Sequence, residues 1–215
     1  MIRPGEPWGA PATGTPDARG AGDDTDLAHL VAAHRGARLG FEPDDRCDLA
    51  RAVGLTNASP GGYEVPVDAL DVASRDLAVN LVVLGRPPDR LRAGHRRRPV
   101  TVLVDGQVRF DGSATTVVIA NGQFLRGADL VPRGHPGDGR LEVQIYAVPP
   151  AARAELRRRL PGGAHLPHPQ IVTTTGRTVD VTWRRPAPLE VDGRPAAPAQ
   201  HLEVQVVPGA FRLLV

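Results

Sequence analysis

The side chains able to do chemistry in this chain are mostly carboxylates, and they fall in short clusters. Asp23, Asp24, Thr25 and Asp26 follow Gly22, and Asp44-Asp45 follows Pro43. A short polar side chain at a helix start accepts from the free amide groups there, so Asp24 or Thr25 reads as the cap of a helix, with Asp23 beside it. Asp44 and Asp45 read as a polar turn. Asp105-Gly106, Asp111-Gly112 and Asp192-Gly193 are each flanked by apolar alternation, which is the signature of tight hairpin turns. All 26 basic residues are arginine. With no lysine, a Walker-type phosphate-binding lysine and Schiff-base chemistry are excluded.

The remaining reactive types are sparse. His165 and His168 are separated by Leu166-Pro167, which breaks helical spacing, and no third ligand stands nearby, so a surface loop is favoured over zinc. None of Ser59, Ser74 and Ser113 sits in a Gly-x-Ser-x-Gly elbow. The single cysteine, Cys47, rules out an intrachain disulfide and a multi-cysteine metal site, and no histidine lies in its stretch to activate it.

Hydrophobic residues make up 41% of the 215, enough for a sizeable core, yet no apolar run reaches the ~18 residues of a membrane span. The segment Met1–Gly14 lacks the apolar centre of a secretory signal, which predicts a cytoplasmic location. Net charge is +2, but it is clumped in His95-Arg96-Arg97-Arg98 and Arg157-Arg158-Arg159. Such runs are commonly solvated faces, and they are also suited to phosphates or to a peripheral contact with anionic lipid heads. Aromatic content of 4% leaves few stacking platforms for nucleic acid.

The elements that must position these groups follow from periodicity. Residues 1–23 are rich in Gly, Pro, Ala and Thr and read as an extended or flexible lead-in. Helices are expected over 24–34 and 48–53, the second stopped by Gly54, with a strand over 37–41 between them. From residue 61 the period becomes two. Leu77 to Leu84 is a nearly continuous apolar run, as in a strand buried on both faces. Further strands are expected near 99–105, 107–111, 114–121, 140–148, 169–175, 178–184, 188–192, 201–207 and 210–215. One helix, 150–160, interrupts them between Pro150 and Pro161-Gly162-Gly163. Many short strands with turns between them predict a mainly β (α+β) chain built as a β-sandwich.

Two segments, ATTVVIANGQFLRGADLVPRGHPGDGRLEVQIY (114–146) and LEVDGRPAAPAQHLEVQVVPGAFRLLV (189–215), resemble the C-terminal half of the bacterial diacylglycerol kinase and lipid kinase family. That family includes sphingosine kinases and is related in fold to NAD kinases. The resemblance implies a lipid kinase-like sandwich over 61–215 and, over 24–60, a remnant of an α/β nucleotide-binding domain whose front is missing. The family's first glycine loop, Gly-Gly-Asp-Gly-Thr, is matched by Ala21-Gly22-Asp23-Asp24-Thr25. Its second, Pro-x-Gly-Thr-Gly-Asn-Asp-Phe-Ala-Arg, is matched by Pro43 to Arg51 with Asp44 and Asp45 in place of Gly and Thr. Gly22, Asp23 and Thr25 are thus the degenerate remains of a nucleotide site, and ATP binding is not expected. Asp24 is expected to face the polyanion and repel it.

The turn Asp192-Gly193-Arg194 carries arginine where the family has its glutamate base, and a guanidinium stays protonated. This leaves no catalytic residue, and the turn is expected to be a plain hairpin. The resemblance also implies a structural divalent metal, Mg²⁺, on Asp138 and the main-chain carbonyls of His135 and Arg140, which supply the oxygen ligands a hard cation needs. An ordinary Asp-Gly turn is the other reading of that site. The expectation is a pseudokinase that binds a lipid, a metabolite or a protein partner, including a second copy of itself. The alternative is an active ATP-dependent diacylglycerol kinase with a rearranged site, or one completed by a partner chain.

Overall fold

The computed structural model describes residues 8–56, 62–73 and 77–215. Ser59 and Ser74 lie outside the described residues. In chain order the strands and helices are β1 (Ala10–Pro11), β2 (Ala18–Gly22), α1 (Asp24–Ala33), β3 (Arg38–Pro43), α2 (Asp48–Val53), β4 (Tyr63–Val72), β5 (Leu77–Ala78) and β6 (Leu81–Gly85). There follow β7 (Arg98–Val104), β8 (Gln107–Ala114), β9 (Thr116–Ala120), β10 (Phe124–Leu125), β11 (Ala128–Asp129), β12 (Leu141–Tyr146), α3 (Arg153–Arg159), β13 (Ile171–Gly176), β14 (Thr178–Val191) and β15 (Arg194–Leu214). The chain is mainly β, as expected. Short 3₁₀ turns at Pro150–Ala152 and Leu160–Gly162 flank α3, so the helix expected over 150–160 is regular only at its centre.

The sandwich is organised by its two longest strands. β14 pairs with β7 through Val179–Trp183 and then with β6 through Leu189–Val191, while keeping β15 as its antiparallel neighbour. Register shifts between Thr182 and Leu189, around Pro186 and Pro188, are where it changes partner. Proline has no amide hydrogen for the ladder and is tolerated at such a break. The two strands expected at 178–184 and 188–192 are therefore one bent strand, and those at 201–207 and 210–215 merge into β15, which shifts register against β4 between Val207 and Phe211.

The side chains enclosed by these strands, among them Val100, Val102, Val117, Ile119, Val143, Val181, Trp183 and Val204, form the largest core. A second core joins α1, α2 and β3 to Val65, Val67 and Ala69 of β4 and to Phe211 and Leu213 of β15. The expected boundary at 60/61 thus falls between elements that share one core. The segment expected as a lead-in contains strand β2, which pairs in parallel with β3, itself parallel to the end of β15. A third cluster sets α3 and the loops around it against β6, β9 and β12.

Candidate functional site

The carboxylate clusters of 22–26 and 44–48 meet the 192–194 turn where α1, α2 and the sandwich come together. Gly22 has φ of +128° and turns the chain from β2 into α1, and a Cβ there would stand 2.1 Å from an Asp26 carboxylate oxygen. The N-cap is Asp23, not Asp24 or Thr25. Its Oδ1 accepts from the amides of Thr25 (2.9 Å) and Asp26 (3.3 Å), and Asp26 Oδ2 accepts in return from the Asp23 amide at 3.1 Å. This reciprocal capping box fills helix-terminal donors with side chains of the chain itself. Arg194 closes it from outside: its guanidinium donates to Asp23 Oδ2 at 2.6 Å and lies 3.8 Å from Asp26 Oδ2. Burial pushes the Asp23 carboxyl up, but the bond from Arg194 and the two amides outweigh this and hold it below the usual range. Asp44, in the second loop, takes the guanidinium of Arg46 at 2.6 Å.

Asp24 does not face a ligand. It is buried, with Oδ1 accepting from the Leu49 amide (2.9 Å) and the Cys47 thiol (3.1 Å) and Oδ2 from Asn80 Nδ2 (2.8 Å). Asn80 sits in the break that divides the expected 77–84 strand into β5 and β6, and Gly122 lies against it, where a Cβ would come within 2.2 Å of Asn80 Oδ1.

Asp192 is more than a hairpin residue. Its buried carboxylate accepts from the consecutive amides of Val79 (2.9 Å), Asn80 (2.9 Å) and Leu81 (3.0 Å). Burial and the nearby Asp24 push the Asp192 carboxyl upward, and the three amides oppose them. Burial likewise raises Asp24. Burial and Asp24 also raise the Cys47 thiol, which leaves it a hydrogen-bond donor rather than a nucleophile.

Arg126 is the bridge that sequence reasoning missed. Its guanidinium makes a two-pronged contact with Asp89 (2.9 and 2.9 Å) and reaches Glu190 at 2.9 Å. Its amide and that of Gly127, the latter at 2.8 Å, donate to buried Asp48. The residue has a φ of +50°, so the only local signal was the turn-forming Arg126-Gly127 pair. At Asn121 the Ala-Asn-Gly turn has a clear purpose: its Nδ2 donates to the carbonyls of Asp68 and Val79, both at 2.8 Å, tying β4 to the chain before β6.

The loop that carries Asp138 runs beside this junction, since a Cβ at Gly134 would stand 2.4 Å from the Gly122 carbonyl oxygen. Asp138 Oδ1 accepts from the Arg140 amide at 2.9 Å, and the His135 carbonyl accepts from the Gly137 amide at 2.8 Å. Asp138 therefore has one carboxylate oxygen outside its own turn. Two more acids press on it. Asp68 is buried, holds the amides of Gly139 (2.6 Å) and Gly209 (2.7 Å), and is raised by burial and then by Asp138. Glu142 is pushed up to about 7 by burial and Asp138. Arg133 and Arg140 oppose this rise at Glu142, so the set is rich in the oxygen ligands that suit a hard cation and only partly balanced by arginine.

The other candidates separate. His165 is buried with Nε2 3.5 Å from the Tyr146 hydroxyl, whereas His168 Nδ1 accepts from the Gln170 amide at 3.1 Å. The pair is not a plain surface loop, because His165 is inside. Ser113 is exposed on β8. The helix that carries the second arginine run reaches the loop before the first: Arg153 and Arg157 of α3 donate to main-chain carbonyls of 91–95, and a cleft of about 470 Å³ opens among Asp89, Arg90, Arg92 and Arg157. Arg97 and Arg98 instead donate to the carbonyls of Ala147, Arg185 and Pro186. Arg158 and Arg159 pair with Glu155 on the exposed side.

With this geometry in view, the comparisons with known proteins agree. Residues 90–215 match the family described as the YegS C-terminal NAD kinase beta sandwich-like domain, and the chain belongs to that family. No curated protein is a significant match to the sequence. Among solved structures, a diacylglycerol kinase from Bacillus anthracis str. Sterne is similar with a TM-score of 0.73 at 17% identity, over 92% of this chain and 76% of that one. Yeast NADH kinase complexed with NADH is similar with a TM-score of 0.54 at 11% identity, over 93% and 61% of the two chains. An NAD kinase from Archaeoglobus fulgidus in complex with ATP gives 0.51 at 12% identity, over 93% and 78%. The fold is that of diacylglycerol kinase-like and NAD kinase-like proteins. Among the described residues no helix is long and apolar enough to cross a membrane.

Proposed function

We propose that this chain is a catalytically degenerate member of the lipid kinase-like family, a pseudokinase that uses its sandwich to bind a lipid or a protein partner. The observation that carries this reading is the Arg194–Asp23 ion pair at the N-terminus of α1. A helix N-terminus serves phosphate when its amides are free. Here the Thr25 and Asp26 amides are occupied by the Asp23 carboxylate, and the guanidiniums that could meet a phosphate are already engaged, Arg194 by Asp23 and Arg46 by Asp44. Where a base would stand, the turn offers a guanidinium that cannot accept a proton.

Asp138, with the main-chain carbonyls of His135 and Arg140, is the proposed seat of a structural Mg²⁺ ion, which would neutralise the charge shared with Asp68 and Glu142. The arginine runs of 95–98 and 157–159 are the proposed contact with an anionic membrane surface.

The test is to incubate the parent protein and Arg194→Glu with labelled ATP, Mg²⁺ and diacylglycerol in mixed micelles. Neither is expected to form phosphatidate above the blank. A restored base contributes typically 10²–10⁴-fold, but only when nucleotide is already held near the acceptor. Product from the parent would overturn the pseudokinase reading, and product from the mutant alone would show that the nucleotide site survives.

A further inference from the structure

On the outer face of the β14–β15 ladder, far along the strands from the 192–194 turn, three potential metal ligands stand together. β alternation puts His201 and Glu203 on one face of β15, and the register sets Asp180 of β14 directly opposite Glu203 and Thr182 opposite His201. His201 Nε2 is 2.9 Å from Asp180 Oδ2 and 3.9 Å from Glu203 Oε1, and the three ligand atoms all lie within 4.8 Å of one another. Among the described residues this is the only group of three such side chains that converges so closely. We infer that Asp180, His201 and Glu203 form a binding site for a divalent transition-metal ion of the zinc type.

Two physical arguments support the inference. The first is spacing. Zinc binds imidazole nitrogen and carboxylate oxygen at ~2.0–2.2 Å, so tetrahedral ligand atoms stand ~3.4 Å apart. The separations of 2.9 and 3.9 Å bracket that value, and small side-chain rotations on a fixed ladder would close the set. The second is charge. Like charges directly opposite on neighbouring strands are destabilising, yet Asp180 and Glu203 are such a pair, and among the described residues no arginine pairs with either, only the His201 imidazole.

An ion held by both carboxylates would relieve that repulsion. The nitrogen ligand sets the choice of ion, because imidazole suits zinc, copper and nickel, whereas Mg²⁺ prefers oxygen alone. On binding, the ion takes the position of any proton on His201 Nε2, which leaves the remaining proton on Nδ1. Three protein ligands leave a coordination position for water. A cleft of about 350 Å³ lined by Asp71, Leu103, Asp180, Glu203 and Gln205 adjoins it.

The test is calorimetric titration of the untagged full chain with ZnCl₂ and, separately, with MgCl₂. The parent is expected to bind one zinc ion at this site in preference to magnesium. His201→Ala and Asp180→Asn should each weaken binding by on the order of tenfold or more, since even outer-shell partners of a metal contribute that much. Asp138→Asn and His168→Ala should leave it intact, which separates this site from the Asp138 turn and from the loop histidines. His201 is exposed and His168, Asp180 and Asp138 are half-buried, so unchanged thermal unfolding without metal checks that the fold is kept. Absence of zinc binding by the parent, equal binding by His201→Ala, or equal affinity for magnesium would each overturn the inference.

Discussion

Replacing Asp192 by Asn exchanges one carboxylate oxygen for an NH₂ group and leaves shape and volume almost unchanged. In the parent, one oxygen accepts from the Asn80 and Leu81 amides and the other from the Val79 amide. The asparagine oxygen can keep the first two, so its NH₂ must face the Val79 N–H, donor against donor. Hydrogen bonds to a charged group contribute about 1.5–3 kcal/mol, and a buried donor left unpaired costs about 1–3 kcal/mol. Burial and Asp24 act the other way, because removing a charge that is costly to bury returns part of the loss. The carboxyl is pushed up on balance, so the loss rests on the donor left unpaired at Val79 and should be roughly 1–3 kcal/mol. Urea unfolding followed by tryptophan fluorescence reads this directly. With a slope of about 1–3 kcal/mol per molar, the midpoint should fall by on the order of 1–2 M at unchanged slope. A midpoint that stays or rises would mean that the cost of burying the charge dominates, and the account of Asp192 as an anchor would fail.

Three further outcomes are expected. Millimolar Mg²⁺ or Ca²⁺ should raise the melting temperature of the parent and not of Asp138→Asn, because an ion bound only to the folded state adds about 2.7 kcal/mol at a hundredfold excess over Kd; no shift in the parent removes the metal from the Asp138 turn. Glu142 rises from 4.5 to about 7 on folding, so its contribution is complete below 4.5 and is lost as pH climbs through 7; the melting temperature should decline over that window in the parent and less in Glu142→Gln, and identical profiles would refute this. Sedimentation with anionic vesicles should occur at low salt, fade as salt rises, and weaken in Arg96→Ala, whereas equal binding to neutral vesicles would return both runs to the role of a solvated face.

Local rules made most of the elements legible. The helix at Asp48–Val53 with left-handed Gly54 as its stop and the hairpin glycines at 106 and 193 follow from short-range pattern and turn chemistry, whereas Asp111-Gly112, expected as a turn, lies inside β8 and pairs with Thr101 and Val100. The order of the segments 114–146 and 189–215 was enough to identify the family. Sequence could also state that Arg194 cannot be a base, because that depends on the side chain alone.

Partners distant in sequence could not be read in this way. Arg194 meets Asp23 across 171 residues, Asp192 meets Val79 across 113, and Arg126 meets Glu190 across 64. Whether Asp24 points outward to repel a ligand or inward to hold Leu49, Cys47 and Asn80 is settled by how α1 packs on the sandwich, not by its neighbours in the chain. The two strands expected at 178–184 and 188–192 are made by the tertiary fold into one strand that changes partner around Pro186 and Pro188. Asp180, His201 and Glu203 become a cluster only through the ladder register. Residue types and short-range pattern fix what each segment can do; burial and cross-chain pairing decide which charges face one another, because those energies exist only once the strands are side by side.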